Sequence, residues 1–169
     1  MFTLTNSLLV ITATTTALIA GLLYGYSCSV NLGLGRLPDA EYLAAMQSIN
    51  SAIQNPLFFA SFLGSLLLLP LSTYLHYAQP ASTRFWFLLA ATTVYLLTVF
   101  GVTVLGNVPL NEALESFNLP QASSDDIAIQ RARFEKPWNY LHTMRTIGAT
   151  LTIVLVIIAC LYPKLAKVD

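Results

Sequence analysis

Charge is what this sequence has least of. Lysine, arginine, aspartate and glutamate together make up 9% of its 169 residues, against roughly 25% in a typical soluble domain. So little charge could not cover the surface of a water-soluble fold of this length. The 56% of apolar residues suits a chain whose solvent is the bilayer. The eight basic residues form no block or stripe, which argues against nucleic acid as a partner. Cysteine is scarce: Cys28 and Cys160 fall in the first and last apolar segments, near opposite faces, with no C-x2-C spacing. A bridge or metal pair is not expected, and both read as packing residues. The two histidines, His76 and His142, also fall on opposite faces, against a two-histidine metal or haem site within one chain. No Lys or Arg precedes the first apolar segment, and Tyr24 to Cys28 is not a small-residue cleavage site. That segment is expected to stay as a helix.

What is present in quantity is apolar run. Four segments meet the spanning requirement of about 20 apolar residues, at about 8–27, 56–77, 85–105 and 139–162. The first three carry no Asp, Glu, Lys or Arg, and the fourth only Arg145 near its start. Hydrocarbon offers backbone groups no partner, so the spans must be helices. The expected fold is all-α: one integral membrane four-helix bundle with short amphipathic helices in its two large connections. Ala17, Gly21 and Gly25, with Gly64 and Gly101, are expected at close helix contacts. Thr14, Thr15, Thr16, Thr92, Thr93 and Thr98 can bond within or between helices, and Pro70 should kink the second span.

Four spans put both ends on one side with Arg84, Lys164, Lys167 and Asp169; the other side holds seven of the eight acids. The basic residues near the short connection favour cytoplasmic ends in a cell (inner) membrane. On the opposite side, residues 38–54 read as a helix, with Tyr42, Met46, Ile49 and Ile53 as an apolar stripe beside Gln47, Asn50 and Gln54. That helix should lie on the bundle end or in the interface. Ser123 or Ser124 can cap another helix with Asp125 and Asp126 in its first turn, Arg131, Arg133 and Lys136 in its last, and Pro137 as a break.

No carboxylate lies in a span, which argues against proton pumps and ion-coupled carriers. The polar clusters sit on the large-connection side. Gln47, Asn50 and Gln54 share one helical face. Asn107-Val108-Pro109-Leu110-Asn111 leaves the third span, with Pro109 opening a short helix through Glu112 and Glu115. Trp138, His142 and Arg145 project from one face of the fourth. An arginine there needs acceptors. A hydrogen-bonded collar and a ligand site, for a polar aromatic molecule reached from the bilayer, both fit.

These clusters carry a resemblance. The runs Arg36-Leu37-Pro38-Asp39, Met46-Gln47-Ser48-Ile49-Asn50, Gln54-Asn55-Pro56-Leu57-Phe58 and Asn107-Val108-Pro109-Leu110-Asn111, followed by Trp138, His142, Arg145 and Thr146, resemble the DUF1772 membrane proteins, which include fungal anthrone oxygenases. The resemblance covers almost the whole chain. It implies an oxygenase scaffold that turns an anthrone-type lipophilic aromatic into a quinone with O2, with no added cofactor and no metal. The positions it marks, read chemically, make His142 the candidate base, with Arg145, Asn107 and Asn111 as oxyanion donors. Trp138 would stack on the rings, with Gln47, Asn50 and Arg36 as further substrate contacts. A non-catalytic binder of a lipophile or of partner helices, and a small carrier or assembly factor, stay open beside it.

Overall fold

The computed structural model describes residues 4–162, so Lys164, Lys167 and Asp169 lie outside the described residues. Within them the chain is all-helical, without a strand. We number five long helices: α1 (Leu4–Leu34), α2 (Asp39–Ala52), α3 (Pro56–Leu75), α4 (Thr83–Glu115) and α5 (Ser124–Leu161). All but α2 are long and apolar enough to cross a membrane, and the chain is a multi-pass membrane protein. Consecutive spans pack side by side, and α1 closes the ring against α5. Leu9, Leu88 and Ala159 form one cluster, so the beginning of α1 and the end of α5 share one end of the bundle.

The helices run further than the apolar runs. α1 continues past residue 27 through a π segment at Tyr26–Val30. α4, with π segments at Tyr95–Gly101 and Thr103–Asn107, continues past residue 105 to Glu115. No turn separates Asn107 from the short helix expected at Pro109: the π segment Thr103–Asn107 runs straight into it, and such wider turns accommodate a residue that does not donate in the α pattern. α5 likewise passes through Pro137, where a break was expected. Pro137 and Arg133 are both exposed, so water can serve the carbonyl that the proline leaves without a donor. With the helix unbroken, Arg131, Arg133 and Lys136 are mid-helix, and the dipole cannot be what favours them. Ser123 caps α5, and Asp126 completes a reciprocal capping box. Pro70 lies inside α3 without ending it.

Between helices the contacts are small residues and hydroxyls, as in other lipid-embedded bundles. Thr12 meets Ser72 at 2.7 Å, Thr73 meets Thr92 at 2.9 Å, and the Tyr95 hydroxyl donates to the Phe62 carbonyl at 2.7 Å. Thr14, Thr15, Thr16, Thr93 and Thr98 bond only within their own helices. The small-residue stripe of α1 does not make the close contact expected of it: a methyl at Gly21 or Gly25 would touch nothing, and Ala17 is exposed. The close approach is at Gly148, where a methyl would overlap the Thr98 side chain.

At about 1.5 Å per residue, the 38 residues of α5 reach about 57 Å, well beyond a hydrocarbon core of about 30 Å. The first turns of α5 therefore stand outside the spans, where they pack with α2 and the end of α4 around Tyr42, Leu43, Met46, Leu114 and Phe134. Arg131 pins this cap. It pairs with Glu135 at 2.7 Å and Asp39 at 2.9 Å, donates to the Leu37 carbonyl, and lies over the Tyr42 ring. Burial holds the Tyr42 phenol well above its usual range, so it stays neutral under the cation.

Candidate functional site

Beneath the cap, where the spans diverge, lies a cavity of about 560 Å³. Its two poles differ. One is apolar and aromatic: Leu23 of α1, Phe58, Phe59 and Phe62 of α3, and Phe100 of α4. The other gathers Asn50, Asn107, Asn111, Trp138, His142 and Arg145 from three helices. α4 supplies its polar residues at four-residue spacing: Thr103, Asn107 and Asn111. In a regular α-helix that spacing drifts by about 40° per step. The wider π turns at Tyr95–Gly101 and Thr103–Asn107 offset the drift and keep Thr103 and Asn107 facing inward.

Arg145 is 9% exposed and has no carboxylate partner; the ion pairs among the described residues are those of Arg131. One terminal nitrogen donates to Thr103 Oγ1 at 3.3 Å, and the other meets His142 Nδ1 at 3.2 Å. Its Nε has no partner, and its carbon centre lies 5.6 Å from the Trp138 ring centroid. A guanidinium only donates, so His142 Nδ1 must be the acceptor and the ring proton sits on Nε2. From there every donor points one way: Nε2–H to Ser27 Oγ at 2.9 Å, Ser27 to Thr146 Oγ1 at 3.0 Å, and Thr146 to the His142 carbonyl at 2.9 Å. The imidazole is held neutral in one tautomer, with its only lone pair turned to Arg145.

Trp138 stacks on His142 with ring centroids 5.0 Å apart and planes 10° apart, while Tyr26 leans on both. Its indole N–H donates to Asn111 Oδ1 at 2.8 Å. That bond fixes the amide orientation and leaves the Asn111 NH2 for another acceptor. Asn107 Oδ1 and Asn50 Nδ2 are buried without partners. A guanidinium without a counter-charge and two unmatched amide atoms, all lining one cavity, leave hydrogen-bonding capacity for a ligand.

Of the eight residues given a role above, the structure brings six together, Asn50, Asn107, Asn111, Trp138, His142 and Arg145, with Gln54 also on the cavity wall. Two are elsewhere. The Gln47 amide donates to the carbonyls of Leu114 at 2.9 Å and Phe117 at 3.1 Å, closing the C-terminal end of α4 as a tie within the cap. Arg36 is exposed and does not line the cavity. Trp138 lines the cavity, but His142 already covers its ring, so it braces the site rather than offering a free face. Tyr26, Ser27, Thr103, Phe59, Phe62 and Phe100 carry no signal in the sequence that places them at the site. Ser27 and Tyr26 reach the site only by the packing of α1 on α5, and no spacing along the chain announces that.

A family profile described as anthrone oxygenase matches residues 56–155. The match covers 100 of 169 residues, counting 56 through 155. The chain belongs to the anthrone oxygenase family. The matched region contains Asn107, Asn111, Trp138, His142 and Arg145, while α1 and α2, which carry Tyr26, Ser27 and Asn50, lie before it. No curated protein and no solved structure matches the chain.

Proposed function

We propose that this anthrone oxygenase family member is a membrane oxygenase that needs no added cofactor, oxidising the acidic methylene of a lipophilic, anthrone-type aromatic ketone with O2. The observation that carries the reading is the buried, unpaired Arg145 at the polar pole of an otherwise aromatic cavity. Burying a charge is costly unless an opposite charge meets it, and an enolate supplies one while its rings fill the apolar pole.

Arg145, with the NH2 groups of Asn111 and Asn50, binds the ketone oxygen and stabilises the charge that develops there. As the guanidinium turns to that oxygen, the Nδ1 lone pair of His142 is released to take a proton from the methylene. The delocalised anion passes one electron to O2, and the carbon radical and superoxide combine to form a C–O bond. The peroxide anion takes back the proton. Loss of the second methylene proton then breaks the O–O bond, giving the carbonyl and water. One O2 is consumed per quinone: the methylene carbon loses two hydrogens and gains one oxygen, and the other oxygen leaves as water. The ends of the chain are assigned to the cytoplasmic side, on Arg84, Lys164 and Lys167.

The test is turnover by purified protein in lipid vesicles, with anthrone supplied and quinone absorbance followed. His142→Ala and Arg145→Gln should each abolish most of it. Quinone formation no faster than in empty vesicles would reject the oxygenase reading, and saturable binding without turnover would make the protein a lipophile binder.

A further inference from the structure

The cavity has an opening that the proposed reaction does not by itself require. Among its lining residues, Phe59 and Leu63 of α3 and Val104 and Val108 of α4 are each between 37% and 43% exposed. Residues that line the cavity and also meet the outside mark where it reaches the surface. Each pair is four residues apart, so each forms one face of its helix. α3 packs along the first part of α4 but makes no extended contact with it beyond the first π segment, which leaves a gap at the level of Val104 and Val108.

That level is inside the membrane. α3 spans with 20 residues from Pro56, so Phe59 and Leu63 lie about 4.5 Å and about 10 Å in from its end. The helix is about as long as the hydrocarbon core is thick, which sets this gap in the leaflet on the cap side. Its border is wholly apolar. A polar approach to the cavity runs past Ser51 and Gln54 of α2 and Glu115 of α4, under the cap.

We propose that the cavity is loaded sideways from the bilayer, through the gap between α3 and α4 bordered by Phe59, Leu63, Val104 and Val108, by a flat lipophilic aromatic already dissolved in the membrane. This rests on the ligand reading of the site given above. A molecule of that class partitions into lipid, and a gap lined with hydrocarbon spares it any transfer through water. Arg145 and the asparagines lie at the far pole, so an oxygen carried on the leading edge arrives at the guanidinium while the trailing rings remain among the phenylalanines. The border residues set the width of ligand that passes; they touch no reacting atom.

The experiment uses the full chain in lipid vesicles with Trp86→Phe, which leaves Trp138 as its sole tryptophan. A dihydroxyanthraquinone is mixed rapidly with the vesicles, and the saturable quenching of Trp138, the part lost with Arg145→Gln, is followed in time. Leu63→Phe combined with Val104→Phe should slow association and dissociation together by about tenfold, leaving the equilibrium constant nearly unchanged, as expected of a gate. Val104→Ala should speed both. At fixed total ligand, association should follow its mole fraction in the lipid rather than its concentration in water. Parental rates in the double variant, with slowing instead in Ser51→Phe combined with Glu115→Phe, would overturn the lateral route while leaving the site intact. Absence of saturable quenching in the parent would overturn the reading of the site, and the portal with it.

Discussion

Arg145 decides between a site and a collar. If its role were to tie helices together, removing it would loosen the fold. Its hydrogen bonds are to one threonine and one histidine, and no carboxylate answers its charge, so the protein bears a desolvation cost that a neutral side chain would not. Arg145→Gln is therefore expected to keep or raise the melting temperature in detergent while lowering turnover by about 10²-fold to 10³-fold, the usual effect of losing one oxyanion donor. A fall in melting temperature with turnover intact would return Arg145 to the collar. Trp138→Phe should lower turnover by about tenfold, since it frees Asn111 Oδ1 and allows the amide to turn; scoring kcat separately from KM checks this. The Trp138, His142 and Arg145 face was legible in the sequence because spacings of four and three are a property of the helix itself. Ser27 and Tyr26 were not, because they come from another helix, and only tertiary packing aligns their hydroxyls and rings with His142.

Among the elements, α4 and α5 are held where a glycine lets them approach. Gly148→Ala would drive a methyl into Thr98 and should cost about 1–3 kcal/mol, whereas Gly21→Ala, with nothing within 4 Å, should be neutral or slightly stabilising. Thermal unfolding of the two variants side by side checks the pair. The small-residue pattern in the sequence pointed to α1, because a four-residue repeat marks a face without saying what meets it. The cap depends on one residue in the same way. Arg131→Met removes the bonds to two carboxylates, those to the Leu37 and Gly35 carbonyls, and the Tyr42 contact. It should destabilise by about 2 kcal/mol, as charge-assisted bonds at a partly buried site do. Proteolysis within residues 35–38 should rise with it. Arg131→Lys should not restore the loss, since an ammonium cannot fork between Asp39 and Glu135. The cap helices were legible from their periodicity and the Ser123 cap. The fusion of the Ser123-capped helix into α5 was not, because Pro137 reads as a break in the sequence, while in the fold water can serve the exposed carbonyl it leaves without a donor.

Across the whole molecule, charge and chemistry share one end. The spans are apolar where lipid surrounds them, the cap carries the ion pairs, and the cavity lies between, with its polar pole toward α5 and its aromatic pole toward α3. The four spans and the side that holds the polar clusters followed from hydropathy and charge count alone; the cavity did not, since it exists only because α3 and α4 part company near the cap. We propose that this cavity oxidises a lipophilic aromatic ketone by holding its enolate against Arg145. The most direct measurement is oxygen uptake and quinone absorbance recorded together on purified protein in vesicles supplied with an anthrone. One O2 should be consumed per quinone formed, with turnover nearly lost in Arg145→Gln at an unchanged or higher melting temperature. Equal turnover in wild type and Arg145→Gln would contradict it.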